Sequence, residues 1–122
     1  MKFQSRHIRG KGRGTSMGFP TINLAIPEGF DLADGIYAVK VTIGGRRYRG
    51  ALHFGPIPTF AENEKSLEVF LLDAHDSLAG DTEGDITVET VKYIRPVTKF
   101  DTAQKLAAQI KNDVDTIAKI LS

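Results

Sequence analysis

Alternation of apolar and polar residues dominates the first three quarters of the chain. It is clearest in Ile36-Tyr37-Ala38-Val39-Lys40-Val41-Thr42-Ile43, where Tyr37, Val39, Val41 and Ile43 share one face at period two and predict a strand. Gly44-Gly45 follows. Both residues tolerate positive φ, so a tight hairpin is predicted to return the chain as a second strand over Arg46 to Phe54, with Tyr48, Leu52 and Phe54 on one side. Leu67 to Leu72 and Ile86 to Ile94 read as two more strands, bounded by loop formers such as Asp73, Gly80, Gly84 and Pro96, and Phe3 to Arg9 offers another.

Near the end the period changes. Leu106, Ile110, Val114, Ile117 and Leu121 recur at helical spacing and line one face of an amphipathic helix. Asp101, with Gln104 three residues on, reads as its capping box. Antiparallel strands followed by one helix bury both apolar faces most simply when the helix packs on a closed sheet, so a mainly β fold is expected: a small β-barrel with a C-terminal α-helix, one domain over residues 1–122.

Composition narrows the chemistry. A chain of 122 residues with 41% hydrophobic content can hold a core without disulfides or structural metal, and it contains no cysteine. That excludes a cysteine nucleophile, a zinc ribbon and an iron–sulfur centre. Apolar runs of only a few residues exclude a membrane-spanning helix, and Met1 leads into polar residues rather than a signal peptide, so a soluble cytoplasmic protein that engages no membrane is expected. The net charge of +1 hides an asymmetry: up to Pro27 the chain carries Lys2, Arg6, Arg9, Lys11 and Arg13 and no acidic residue. Such an end attracts anions, either a phosphorylated ligand or a nucleic-acid backbone, unless it is simply a solvated basic strand.

The most unusual stretch is Gly10-Lys11-Gly12-Arg13-Gly14-Thr15-Ser16-Met17-Gly18-Phe19-Pro20-Thr21-Ile22-Asn23. Its glycines let backbone amides approach a ligand, and Lys11 and Arg13 add positive charge, which describes a phosphate cradle; a plain flexible turn has the same composition. Neither a P-loop nor a dinucleotide fingerprint fits its spacing. Thr21 and Asn23 project to one side of an extended chain, and their neutral oxygens suit Mg²⁺ beside phosphate and water; the alternative is a strand former and a turn residue. Glu68 interrupts the apolar string from Leu67 to Leu72 and falls on the face of Phe70 and Leu72. A carboxylate among apolar neighbours is costly without a task, so it is either a general base or an outward edge residue. His7, His53 and His75 show no metal-ligand spacing and read as ordinary surface or core histidines.

Taken together, these pieces resemble the riboflavin kinase family. Arg9 through Arg13-Gly14 to Gly18-Phe19-Pro20-Thr21-Ile22-Asn23 is similar to its glycine-rich loop and Pro-Thr-Ala-Asn signature. Gly35-Ile36-Tyr37, Pro58-Thr59-Phe60, Leu67-Glu68-Val69, Ile94-Arg95-Pro96 and Phe100-Asp101 resemble further family segments in the same order. The resemblance implies a six-stranded Greek-key barrel, an ATP-dependent activity that phosphorylates riboflavin to flavin mononucleotide, and Mg²⁺ as cofactor. By the same match, Gly10, Lys11, Gly12, Arg13, Gly14 and Gly18 with Thr21 and Asn23 bind the nucleotide, Thr21 and Asn23 also hold the metal, Glu68 is the catalytic base, and Arg95 lies near the flavin. Riboflavin and ATP are then the partners, with no nucleic acid, and a monomer is expected. No stretch matches an adenylyltransferase module, so the expected product is flavin mononucleotide. The sequence departs from the family pattern at Ile22, at His53-Phe54-Gly55, where Asn- or Ser-Ile-Gly is common, at Phe70, where a histidine is usual, at Leu78-Ala79-Gly80, and in the stretch from Asp81 to Asp85. Two rival readings remain at this stage: a flavin- or nucleotide-binding module of the same fold with weakened catalysis, and a small barrel that binds nucleic acid through its basic N-terminus.

Overall fold

A computed structural model describes residues 1–8, 21–57, 62–72 and 84–122. The strands are β1 (Lys2–Ile8), β2 (Thr21–Leu24), β3 (Gly35–Ile43), β4 (Arg46–Ile57), β5 (Glu62–Leu71) and β6 (Asp85–Arg95), and helix α1 spans Ala103–Ile120. They close into a barrel in the order β1-β2-β5-β4-β3-β6, antiparallel throughout. β3, β4 and β5 are consecutive neighbours and β6 returns beside β3, which is a Greek key. Closure leaves no sheet edge to be protected.

The alternating pattern in the sequence is the inside of this barrel. Tyr37, Val39, Val41 and Ile43 of β3 meet Leu52 and Phe54 of β4, Leu67, Val69 and Leu71 of β5, and Ile86 and Val88 of β6 in one continuous cluster. Ile22 and Leu24 of β2 complete it, so the bulk of Ile22 is used to fill the interior. Phe30, from the segment between β2 and β3, packs against this cluster with its ring edge-to-face against Phe3 at 4.8 Å and Phe54 at 5.0 Å. Gly44 and Gly45 take φ of 55° and 80° between Ile43 and Arg46, the mirror-image turn that matches the twist of a hairpin. Gly50 is required for space: a Cβ there would stand 2.7 Å from Cγ1 of Val69.

A second apolar layer lies outside. Ala38, Ala51 and Phe70 are cross-strand neighbours on the outer face of β3, β4 and β5, and Ile110 and Ile117 of α1 bury against them. Two alanines in a row let the helix approach the sheet closely, and Phe70 supplies the apolar bulk on the β5 side. The helix begins one residue later than the predicted cap. Thr102 is the N-cap, its hydroxyl accepting from the Lys105 amide at 3.1 Å, whereas the Asp101 carboxylate pairs with Lys105 Nζ at 3.2 Å. Two differences remain: the alternation did not single out β2 (Thr21–Leu24) as a strand, and the lengths differ, with β4 running on to Ile57 and β5 starting at Glu62 through polar residues that lack the apolar alternation.

Candidate active site

Because the interior takes Ile22, Leu24, Leu67 and Val69, the alternate residues Thr21, Asn23 and Glu68 face outward. The register then decides which outward residues meet. Asn23 of β2 stands directly across from Glu68 of β5, Glu68 across from His53 of β4, His53 across from Ile36 of β3, and Ile36 across from Arg95 of β6. Thr21 stands one step away, across from Phe70. Residues far apart in sequence thus form one row across the strands, polar at Asn23, Glu68, His53 and Arg95 and apolar at Ile36. Directly opposed residues on one face of a regular sheet have Cβ atoms roughly 4.5–5.5 Å apart, which brings Asn23, Glu68 and His53 within reach of one another.

Glu68 is only 6% exposed, and with Asp113 it is one of two buried charged residues among those described. Along its own strand it lies between Ser66 and Phe70 on the same face. The Ser66 hydroxyl is buried without a hydrogen-bond partner. A carboxylate at this position is chemically competent to accept a proton from a hydroxyl brought to it.

His53, ordinary by its sequence context, is Glu68's cross-strand neighbour. Its Nε2 lies 3.0 Å from the Gly55 carbonyl. A carbonyl only accepts, so Nε2 carries the proton and donates it. Burial pulls the imidazole's proton affinity below its ordinary range; hydrogen bonding to the Gly55 and Pro56 carbonyls opposes this, the Arg95 charge reinforces it, and the Asp34 charge opposes it. The net effect keeps His53 neutral beside the carboxylate.

At the far end of the row the Arg95 guanidinium is engaged within the chain. Nε donates to both Asp113 carboxylate oxygens at 3.0 and 3.1 Å, one terminal nitrogen donates to Asp113 Oδ2 at 2.7 Å, and the other donates to the Pro96 carbonyl at 3.0 Å. Gln109 Nε2 adds a hydrogen bond to Asp113 Oδ1 at 3.0 Å, and the Phe100 ring lies 5.8 Å from the guanidinium carbon. Asp113, on the stripe between Ile110 and Ile117, was not anticipated. A polar residue on an apolar helix face was the signal that could have found it.

The donor set suits a hard cation held jointly with phosphate. Thr21 and Asn23 present neutral oxygens on one side of β2, and no group of three or more His, Asp or Glu side chains among the described residues forms a protein-only metal cage. Gly10, Lys11, Gly12, Arg13, Gly14 and Gly18 lie outside the described residues, as do Arg9, Pro58-Thr59-Phe60, His75 and Leu78-Ala79-Gly80.

The sequence matches the family model described as "Flavokinase: Riboflavin kinase" over residues 1–121. The chain belongs to the riboflavin kinase family. It is 34% identical over 113 residues to the RNA-binding riboflavin kinase RibR of Bacillus subtilis (strain 168), covering 92% of this chain and 47% of that protein. It is 32% identical over 108 residues to the bifunctional riboflavin kinase/FMN adenylyltransferase of Listeria monocytogenes, covering 87% of this chain and 33% of that one. The chain therefore spans less than half the length of these riboflavin kinase relatives. A solved structure described as a macrolide-efflux protein from Streptococcus pneumoniae superposes with a TM-score of 0.78 at 31% identity, over 96% of this chain and 38% of its own. The riboflavin kinase barrel with its C-terminal helix, expected from the alternation and the helical stripe, is the fold observed. No helix among the described residues is long and apolar enough to cross a membrane.

Proposed function

We propose that this chain is an ATP-dependent riboflavin kinase, transferring the γ-phosphate of ATP to the 5′-hydroxyl of the ribityl chain to give flavin mononucleotide and ADP. The observation that carries the reading is the cross-strand placement of Asn23 against the buried Glu68, with Thr21 one step away, in a chain of this family.

The roles follow from the chemistry of each group. Glu68 accepts the proton of the 5′-hydroxyl as that oxygen forms its bond to the γ-phosphorus and the bond to the β,γ-bridging oxygen breaks. Thr21 and Asn23 would hold Mg²⁺, which when bound neutralises phosphate charge. Gly10, Lys11, Gly12, Arg13, Gly14 and Gly18 supply backbone amides and positive side chains to the nucleotide phosphates. Phosphoryl transfer has a loose transition state, so positioning and charge neutralisation carry most of the rate enhancement. Arg95, locked to Asp113, borders the flavin side of the row and holds α1 against the barrel there. Residues 1–122 act as one domain, and closure of the sheet without a free edge favours a monomer. The cytoplasm, where ATP is available, suits a chain with no cysteine.

Incubation with riboflavin, ATP and Mg²⁺, followed by chromatography of the flavins, is expected to give flavin mononucleotide and an equal amount of ADP. Excess chelator should stop the reaction and added Mg²⁺ restore it. Flavin that binds without being converted would overturn the kinase reading in favour of a binding module.

A further inference from the structure

The proposed base has two cross-strand neighbours, one of which is the metal-binding candidate Asn23. The other is His53, opposite Glu68 on β4 and on the same outer face. Its ring is held by the donation from Nε2 to the Gly55 carbonyl, which fixes both the tautomer and the orientation of the imidazole. The groups facing it are Glu68 from β5, Ile36 from β3, Arg95 from β6 and Asp34 from the segment before β3. The two charges that influence it electrostatically are already matched: Arg95 pairs with Asp113 at 2.7 Å and Asp34 with Lys65 at 2.9 Å. A glutamate has three rotatable side-chain bonds, and a base contributes fully only when its oxygen is held in line with the reacting hydroxyl. A rigid, uncharged ring beside it restricts those bonds without forming the ion pair that a lysine or arginine there would form, which would weaken the base.

We infer that His53 is a positioning residue for Glu68, its imidazole pinned to the Gly55 carbonyl and packed against the β4 side of the carboxylate. The inference rests on Glu68 being the base. It assigns His53 no contact with substrate, so its loss should reduce turnover and spare substrate affinity.

The test compares steady-state kinetics and thermal unfolding of the parent with His53→Ala, which removes the ring, His53→Phe, which keeps a ring without a donor, and His53→Gln, whose amide N–H can again reach the Gly55 carbonyl. His53→Ala and His53→Phe are expected to lose about tenfold in kcat, with KM for riboflavin and ATP within about twofold of the parent, because a displaced catalytic group costs rate rather than uniform binding. His53→Gln is expected to recover kcat to within about threefold of the parent. Parental kcat in His53→Ala, a loss confined to KM, or failure of His53→Gln to recover would overturn the inference. Should His53→Ala not fold, equal kcat in His53→Phe and His53→Gln overturns it just as well. Glu68→Gln is run alongside. If it keeps parental turnover, the base reading itself falls and this inference with it; if it is inactive while the His53 variants are parental, only the inference falls.

Discussion

The two faces of β5 divide the labour of this protein. Inward, Leu67, Val69 and Leu71 are at most 2% exposed and belong to the apolar cluster of the interior. Outward, Ser66, Glu68 and Phe70 are a hydroxyl without a partner, a buried carboxylate and an aromatic ring beneath the helix. Every inward residue has an ordinary reason to be there, namely apolar area removed from water. The outward face includes a buried charge, Glu68, whose removal from water costs free energy that apolar burial does not supply. Period-two alternation lets one strand serve both ends, because changes on one face leave the other in register.

That division can be broken from either side. The largest stability effect is expected outside, at the clamp that holds α1 beside the row: Asp113→Asn leaves the Arg95 guanidinium without its counter-charge and should cost about 3 kcal/mol in denaturant unfolding. A cost under about 0.5 kcal/mol, the size of an exposed pair, would show that the clamp is not a buried one. Next, Val69→Ala on the inward face should cost about 2 kcal/mol through lost burial and the cavity left behind, while kcat per folded molecule stays parental. A folded Val69→Ala with greatly reduced kcat would mean that the two faces are coupled.

The smallest effect expected concerns pH. The proton affinity of His53 is lowered in the folded state, chiefly by burial, so below an unfolded value of about 6.5 the unfolded chain takes up a proton that the native ring resists. Its contribution is fully present above that value and is lost as pH falls through the lower folded value. Urea midpoints of His53→Asn measured from neutral to acid pH should fall less steeply than those of the parent, and parallel curves would contradict the assignment.

What was legible in the sequence follows from what repeats locally. Alternation from Ile36 to Ile43, the glycine pair after it and the stripe from Leu106 to Leu121 each state a period and an end, and so the barrel and its helix could be read. Glu68 was visible as a charge within an apolar string. His53 was invisible as a neighbour because nothing near it in sequence says that β4 will lie beside β5 with His53 opposite Glu68. Ion pairing of Arg95 with Asp113 depends likewise on where α1 docks. The cap was missed by one residue because Asp101 and Thr102 are both competent caps in succession, and only the geometry shows that the Thr102 hydroxyl is the one reaching the Lys105 amide. The start of β5 is not visible as alternation because Glu62 to Lys65 are all polar, which leaves no hydrophobic pattern to see.

The claim on which the functional account turns is that the outward carboxylate of β5 is the base. Turnover of riboflavin by Glu68→Gln, in protein whose unfolding transition shows that the barrel is intact, tests it most directly. The account predicts a fall in kcat of roughly a hundred- to ten-thousand-fold, and a variant within about threefold of the parent would contradict it.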